Sequence, residues 1–326
     1  MKHSKLVVVF TVLMLGVISV VAGLALYTNH AGNASVAALP SVLAYLPSDL
    51  QVVFGMNVQK FITSPIYYRF QEKHDQPIGT ELAEFIEKTG VDPRRDLFYL
   101  LAAGRSKAIE KGEGVAIAVG NFDREAIASY IRSKMVPIEF DYEGVYILML
   151  PKAEGENNER GIAFLSEQEI VLGDLEFIKE IMDVRNKGNK SILSNSTLAP
   201  LLNSFTSDEM FWFAGDVAGI LASIPVSNPF GESITAIQNV TGTLNLMDSV
   251  TGNITVIARD VESATKLVEV VRGFIALGQL AGDQHADLST LFEGVIISQN
   301  ETQVNLSLNF SIELLEKLGQ VKQQSL

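Results

Sequence analysis

Ser263-Ala264-Thr265-Lys266 has the spacing at which a lysine one helical turn on can activate a serine nucleophile for acyl transfer. Lys88-Thr89-Gly90 has the form of the strand motif that accompanies such a pair. The order is wrong for that chemistry, because the Lys-Thr-Gly should come after the serine and here it comes first. Lys88-Thr89-Gly90 reads instead as a helix end with glycine just beyond it. Ser263 reads as a first-turn helix residue.

Metal and triad chemistry fare no better. The four histidines are His3, His30, His74 and His285, and none has a ligand or triad partner at local spacing. Gly112-Glu113-Gly114 lacks the third glycine of a dinucleotide loop and precedes a strand. Residues 283–293 carry carboxylates without the mid-loop glycine of a calcium loop. Asp92-Pro93-Arg94-Arg95-Asp96 is either an anion-binding knob or a turn with self-paired charges, and the second reading is favoured. Phe211-Trp212-Phe213 fits either the floor of an apolar groove or a strand buried on both faces, again with the second favoured. The expectation is therefore no catalytic residue, no cofactor-binding residue and no metal site.

The elements that must carry these residues begin with an apolar run. Met1-Lys2-His3-Ser4-Lys5 is followed by residues 6–26 without a charge, long enough to span a bilayer core. The basic start orients such a span with the remainder of the chain outside the cytoplasm. Small residues near Ala25 and Ala34 also allow a cleaved signal peptide. Either way the body is extracytoplasmic: a single-pass cell-membrane protein, or one released to the periplasm after cleavage. Residues 27–46 are expected as a tether, 47–190 as a first domain and 194–326 as a second, with 186–190 beginning the link between them.

Composition narrows the setting. The chain has no cysteine, so disulfides, thiol catalysis and thiolate metal sites are excluded, and stability must come from core burial. This usage suits a bacterial envelope. Seven Asn-x-Ser/Thr sequons, at Asn33, Asn195, Asn239, Asn253, Asn300, Asn305 and Asn309, pull toward a glycosylating pathway. Several fall in strand patterns and read as by-products of Asn/Thr/Ser-rich strand faces. With Lys2 and Lys5 set aside, 23 basic residues face 38 acidic ones, a field that repels nucleic acid and anionic headgroups.

Four matched segments in the same order point to two copies of one α+β unit. Asp49 and the strand with Phe54 and Asn57 match Asp208 and the strand with Phe213 and Asp216. Residues 114–120 lead to a helix from Asp123, as residues 253–258 lead to one from Asp260. Glu143-Gly144-Val145-Tyr146-Ile147 matches Glu293-Gly294-Val295-Ile296-Ile297. Asp174 and Ser311 each precede a closing helix. Both Asp123 and Asp260 stand where a carboxylate caps a first turn. Each copy reads as strand, one or two helices, two strands, helix, two strands, helix. Short turns, clearest near Asp248, make the sheet mostly antiparallel, with helices on one face. The helix over 262–280 should bury Leu267, Val268, Val271, Phe274 and Ile275.

Leu46-Pro47-Ser48-Asp49, then Val52-Val53-Phe54-Gly55-Met56-Asn57-Val58 and Ser64-Pro65, resembles the start of the body in a family of exported bacterial envelope proteins of unknown function. The resemblance is specific over residues 46–65 and architectural elsewhere. It implies an envelope location and carries no functional residue. The resulting expectation is a membrane-tethered, non-enzymatic binding or scaffolding protein that meets the membrane through its N-terminal segment and an envelope protein or apolar ligand through its body. A carrier of a lipid or other apolar ligand is the first alternative, and an envelope hydrolase with an unrecognised site the second.

Overall fold

The computed structural model describes residues 39–73, 80–105, 114–152, 158–206, 209–222, 231–281, 290 and 292–314. The expected anchor or signal at 1–26 lies outside them, as do all four histidines and residues 283–289. Among the described residues no helix is long and apolar enough to cross a membrane. The protein is mixed α+β, and its strand pairs are antiparallel. It divides into two compact units, one running to Ala199 and the other, joined by Ser64–Ile66, from Pro200 onward.

In the first unit, β1 (Val52–Asn57) is followed by helices α1 (Val58–Ile62), α2 (Pro65–Lys73), α3 (Thr80–Thr89) and α4 (Pro93–Asp96). Strands β2 (Leu97–Gly104) and β3 (Val115–Gly120) precede helix α5 (Arg124–Lys134). Four strands then run β4 (Ile138–Tyr142), β5 (Val145–Leu150), β6 (Arg160–Phe164) and β7 (Glu169–Asp174), closed by α6 (Leu175–Lys187). The spatial order is β1-β2-β3-β7-β6-β5-β4. Four strands after α5, rather than the expected two, are the main departure from the reading of the sequence.

Helices cover both faces of this sheet, which corrects the one-face expectation. Ile127 and Ala128 of α5 pack on Leu148, Phe164 and Ile170. The neighbouring residues Ile147, Ala163 and Val171 point the other way and are fully buried too. On that second side a Cβ at Gly161 would lie 3.5 Å from both Ile178 and Leu175 of α6. The sequence carries the cause: β5 and β6 are near-continuous apolar runs, the pattern of a strand buried on both sides.

The ends of this unit are also more firmly tied than a tether and a link would be. Val42, Leu43 and Leu46 are buried, in and just after a 3₁₀ turn at Ser41–Tyr45. Ser48 N–H donates to the Lys190 carbonyl at 3.0 Å, and Ile192 N–H to that of Leu46 at 2.7 Å. Residues 186–192 thus close the first unit, and the division falls after Ala199.

The second unit contains part of α7 (Leu198–Leu202), then β8 (Phe211–Asp216), α8 (Ala218–Ala222), α9 (Gly231–Thr235), β9 (Ile237–Leu246) and β10 (Ser249–Ala258). The 21-residue α10 (Val261–Ala281), β11 (Val295–Asn300) and β12 (Gln303–Ser311) follow. The order is β8-β9-β10-β12-β11. Strict alternation in β12, Val304-Asn305-Leu306-Ser307-Leu308-Asn309-Phe310, gives one apolar and one polar face. Ala264, Leu267 and Val268 of α10 pack on the apolar face against Ala258, Val304, Val256, Ile297 and Leu306. Phe274 departs from expectation: it is 52% exposed, although it follows Leu267 by seven residues on the same side of the helix.

The strand order also corrects one matched segment. Val145–Leu150 is an interior strand between β4 and β6, whereas Val295–Asn300 pairs only with β12 among the described residues. By sheet position, the counterpart of β11 is β6.

Candidate functional site

The concave site described is a shallow cleft in the first unit of about 320 Å³, lined by Pro47, Ser48, Asp49, Arg105, Glu180 and Lys190 among others. Arg105, just past β2, is its centre. Its Nε and Nη2 donate to the two carboxylate oxygens of Asp49 at 2.7 and 2.8 Å, and Nη2 also reaches Glu180 Oε2 on α6. The guanidinium lies 4.3 Å from the ring centroid of Phe177. The hydrogen bonds from Arg105 hold the Asp49 carboxyl below its ordinary range, against the opposing effect of burial. Burial works against the charge on Arg105 as well, but Asp49 and Glu180 raise its pKa overall. Asp49 and Arg105 are thus committed to one another as a fixed charge pair in the cleft. Nothing local in the sequence announces it, since Arg105 stands 56 and 75 residues from its partners.

The stretch that carries the family resemblance supplies structural contacts here. Leu46 is fully buried, Asp49 pairs with Arg105, and Asn57 accepts from Lys60 N–H at 2.9 Å to cap α1.

The motifs that fall on described residues are absorbed into the fold, and Gly112-Glu113 lies outside them. Ser263 N–H donates to Asp260 Oδ1 at 2.8 Å, and the Ser263 hydroxyl also bonds to that carboxylate, whose pKa these contacts lower. Lys266 pairs with Glu262 at 2.8 Å. The serine therefore bonds the helix cap and the lysine bonds a surface carboxylate. Gly90, with φ +69°, ends α3 in the left-handed conformation expected of a residue after Lys88-Thr89. Asp123 accepts from Ala126 N–H at 2.9 Å, as an N-cap should.

Asp174 departs from its expected capping role. Its carboxylate accepts from Gly114 N–H at 2.6 Å and Asn158 Nδ2 at 3.3 Å. The cluster at 92–96 is self-paired, Asp92 with Arg94 and Arg95 with Asp96. Arg94 and Asp96 are nevertheless buried, with Gln59 Nε2 donating to the carbonyls of Arg94 and Leu97. Phe211-Trp212-Phe213 alternates across β8. Trp212 is fully buried and stacks on Phe205 at 4.8 Å, and the ring of Phe213 fills the space where a Cβ on Gly242 would stand. Among the described residues no group of acidic or histidine side chains could hold a metal ion.

A polar surface lies on the side of the second sheet away from α10, over β10, β12 and β11. Asn253, Ser298, Asn300, Ser307 and Asn309 are exposed on it, beside half-buried Thr251, Thr255, Gln303 and Asn305. Ser307 Oγ donates to Asn253 Oδ1, and Thr255 Oγ1 to Asn305 Oδ1, both at 2.9 Å. Five sequon asparagines, Asn239, Asn253, Asn300, Asn305 and Asn309, share this face, as expected of polar strand faces.

No family model matches the chain. No curated protein matches it. Among solved structures, crystal form I of TP0453 is similar at a TM-score of 0.47 and 10% identity, over 85% of this chain and 96% of that one.

Proposed function

We propose that the chain is a membrane-tethered binding or scaffolding protein of the bacterial envelope, with no reaction of its own. The tether rests on the basic start and the uncharged residues 6–26. The binding role is carried by the open face of the second sheet. An array of amide and hydroxyl groups with exposed Ile296 among them, free of charge in a chain of net charge −13, suits a broad macromolecular contact better than enclosure of a small molecule. An apolar-ligand carrier is the second reading, favoured by exposed Phe274 and Leu277 on α10.

The two units are further proposed to descend from a duplication. Supporting this, β1-β2-β3-β7-β6 and β8-β9-β10-β12-β11 run in the same order, with the β4–β5 hairpin as an addition to the first copy. Helices α5 and α10 follow the third strand in each.

Native mass spectrometry of the full chain, extracted from its own membranes, tests the binding role. A stoichiometric protein partner is expected, retained by the native chain and lost from Asn253→Arg/Asn309→Arg. A lipid mass in place of a protein would favour the carrier. A chain without any companion, or a companion indifferent to those substitutions, would sink the assignment to this face. Membrane fractionation with N-terminal sequencing tests the tether, which requires residue 1 or 2 to remain in the membrane fraction.

A further inference from the structure

Strand β11 ends its sheet and has neighbours on one side only among the described residues. Asn309 N–H donates to the Gly294 carbonyl at 2.9 Å, which marks 294/309 as a hydrogen-bonded pair. Such pairs alternate along an antiparallel ladder. In the register Val295↔Leu308 to Asn300↔Gln303, residues 296, 298 and 300 therefore bond to β12. Val295, Ile297 and Gln299 direct their N–H and C=O groups outward, with no strand to receive them among the described residues.

Exposed strand edges are normally guarded by charge, proline or a covering element. The opposite edge of the first sheet follows that rule. β4 carries Glu139 and Asp141 and is preceded by Pro137. β11 reads Val-Ile-Ile-Ser-Gln-Asn, with no charge and no proline, and Ile296 is 68% exposed.

We propose that β11 pairs antiparallel with β11 of a second copy of this chain, about a two-fold axis through Ile297. Symmetry selects that register. A two-fold axis perpendicular to the sheet keeps each side chain on its own face, so opposed residues must share parity. Centring on Ile297 sets Val295 against Gln299 of the other copy and uses the outward groups of all three residues, six hydrogen bonds in total by alternation. Ile296 then lies against Ser298, and Ile297 against its own mate beside the α10 core, to which it already belongs. Within the strand itself β11 brings no carboxylate to the junction, and Glu293 and Glu301, which flank it, fall opposite one another only at the two ends of the paired segment. The pairing is independent of whatever occupies the polar face.

The absence of native cysteine makes a disulfide test clean. Hydrogen-bonded antiparallel partners have Cα atoms about 5.5 Å apart, within disulfide reach. In the full chain in membranes, Ile297→Cys should give a reducible homodimer on oxidation, whereas Glu139→Cys on β4 should remain monomeric. Gln299→Pro removes an outward N–H without touching the β12 ladder, a position where an edge strand tolerates proline. It should abolish the cross-link in the Ile297→Cys chain. It should also convert the dimer mass of the cysteine-free chain to a monomer, a reading that does not need the cysteine variant to fold. A monomeric native chain, a cross-link that persists with Gln299→Pro, or a cross-link to a different protein would each overturn the proposal.

Discussion

The strands of the two units are buried differently. In the first unit, α5 and α6 lie on opposite faces, and successive residues Ile147 and Leu148 of one strand are both fully buried. In the second, α10 covers one face, while the other buries Trp212 on β8 and presents Asn, Ser and Thr to solvent over β10, β12 and β11. The edges differ as well, β4 carrying charges and β11 none. The lesson is that a shared strand order does not fix how a sheet is used. A sheet covered on both sides is committed to its own stability, whereas one with an open face and an unguarded edge keeps surface for contact.

The largest expected effect breaks or keeps that contrast directly. Ile147→Ala and Leu148→Ala should each destabilise the first unit by about 2–5 kcal/mol, since each empties a fully buried site on its own face. In the second unit Val304→Ala should cost about 2 kcal/mol, while Asn309→Ala on the open face stays within about 0.5 kcal/mol. Urea unfolding followed by far-UV circular dichroism, and by the fluorescence of the single tryptophan Trp212 for the second unit, measures these. A near-neutral Ile147→Ala would mean that α6 does not seal the second face.

A smaller effect sharpens the comparison at the closing helices, where Asp174 and Ser311 occupy matched positions in the sequence. Ser311 Oγ accepts from Leu314 N–H at 3.2 Å, an ordinary cap, so Ser311→Ala should cost about 1 kcal/mol. Asp174 instead receives the N–H of Gly114 from the start of β3. Asp174→Ala removes the acceptor of a partly buried N–H and should cost about 1–3 kcal/mol, with faster hydrogen exchange at Gly114. Equal costs, with exchange at Gly114 unchanged, would show that Asp174 is only a cap.

How much of this was legible follows from the range of each interaction. Asp123, Asp260 and Gly90 act within one helical turn, and their roles could be read from neighbours. The β9–β10 turn at Met247-Asp248 was equally local. The polar face was visible in the two-residue alternation of β12. Apolar runs in β5 and β6 signalled two-sided burial, but the short turns of an antiparallel sheet led to the expectation of helices on one face. The Arg105 cluster was invisible, because its charges meet only after the sheet and α6 have formed. The burial of Arg94 and Asp96 was hidden too: a charge cluster between helix and strand reads as surface until Gln59 from α1 is seen bonding to the backbone there.

The smallest expected effect concerns the guarded edge and its response to acid. Arg132 on α5 donates through Nε to Glu139 Oε1 at 2.8 Å, and the Tyr146 hydroxyl donates to Glu139 Oε2 at 2.6 Å. The guanidinium bond, and then the tyrosine bond, lower the Glu139 carboxyl to about 2. In the unfolded chain a glutamate titrates near about 4.3. The folded value is the lower one, so on acidification the unfolded state takes up this proton first. The stabilisation is complete above the unfolded value and is lost as pH falls toward about 2. The pair is solvent-exposed, so salt should weaken it. Carboxyl ¹³C titration should place the Glu139 midpoint near 2, and Glu139→Gln should flatten the pH dependence of the urea midpoint between the two values. A Glu139 midpoint in the ordinary carboxylate range would mean that Arg132 does not hold the charge on β4, and the contrast between the two edges would then rest on the bare presence of charge.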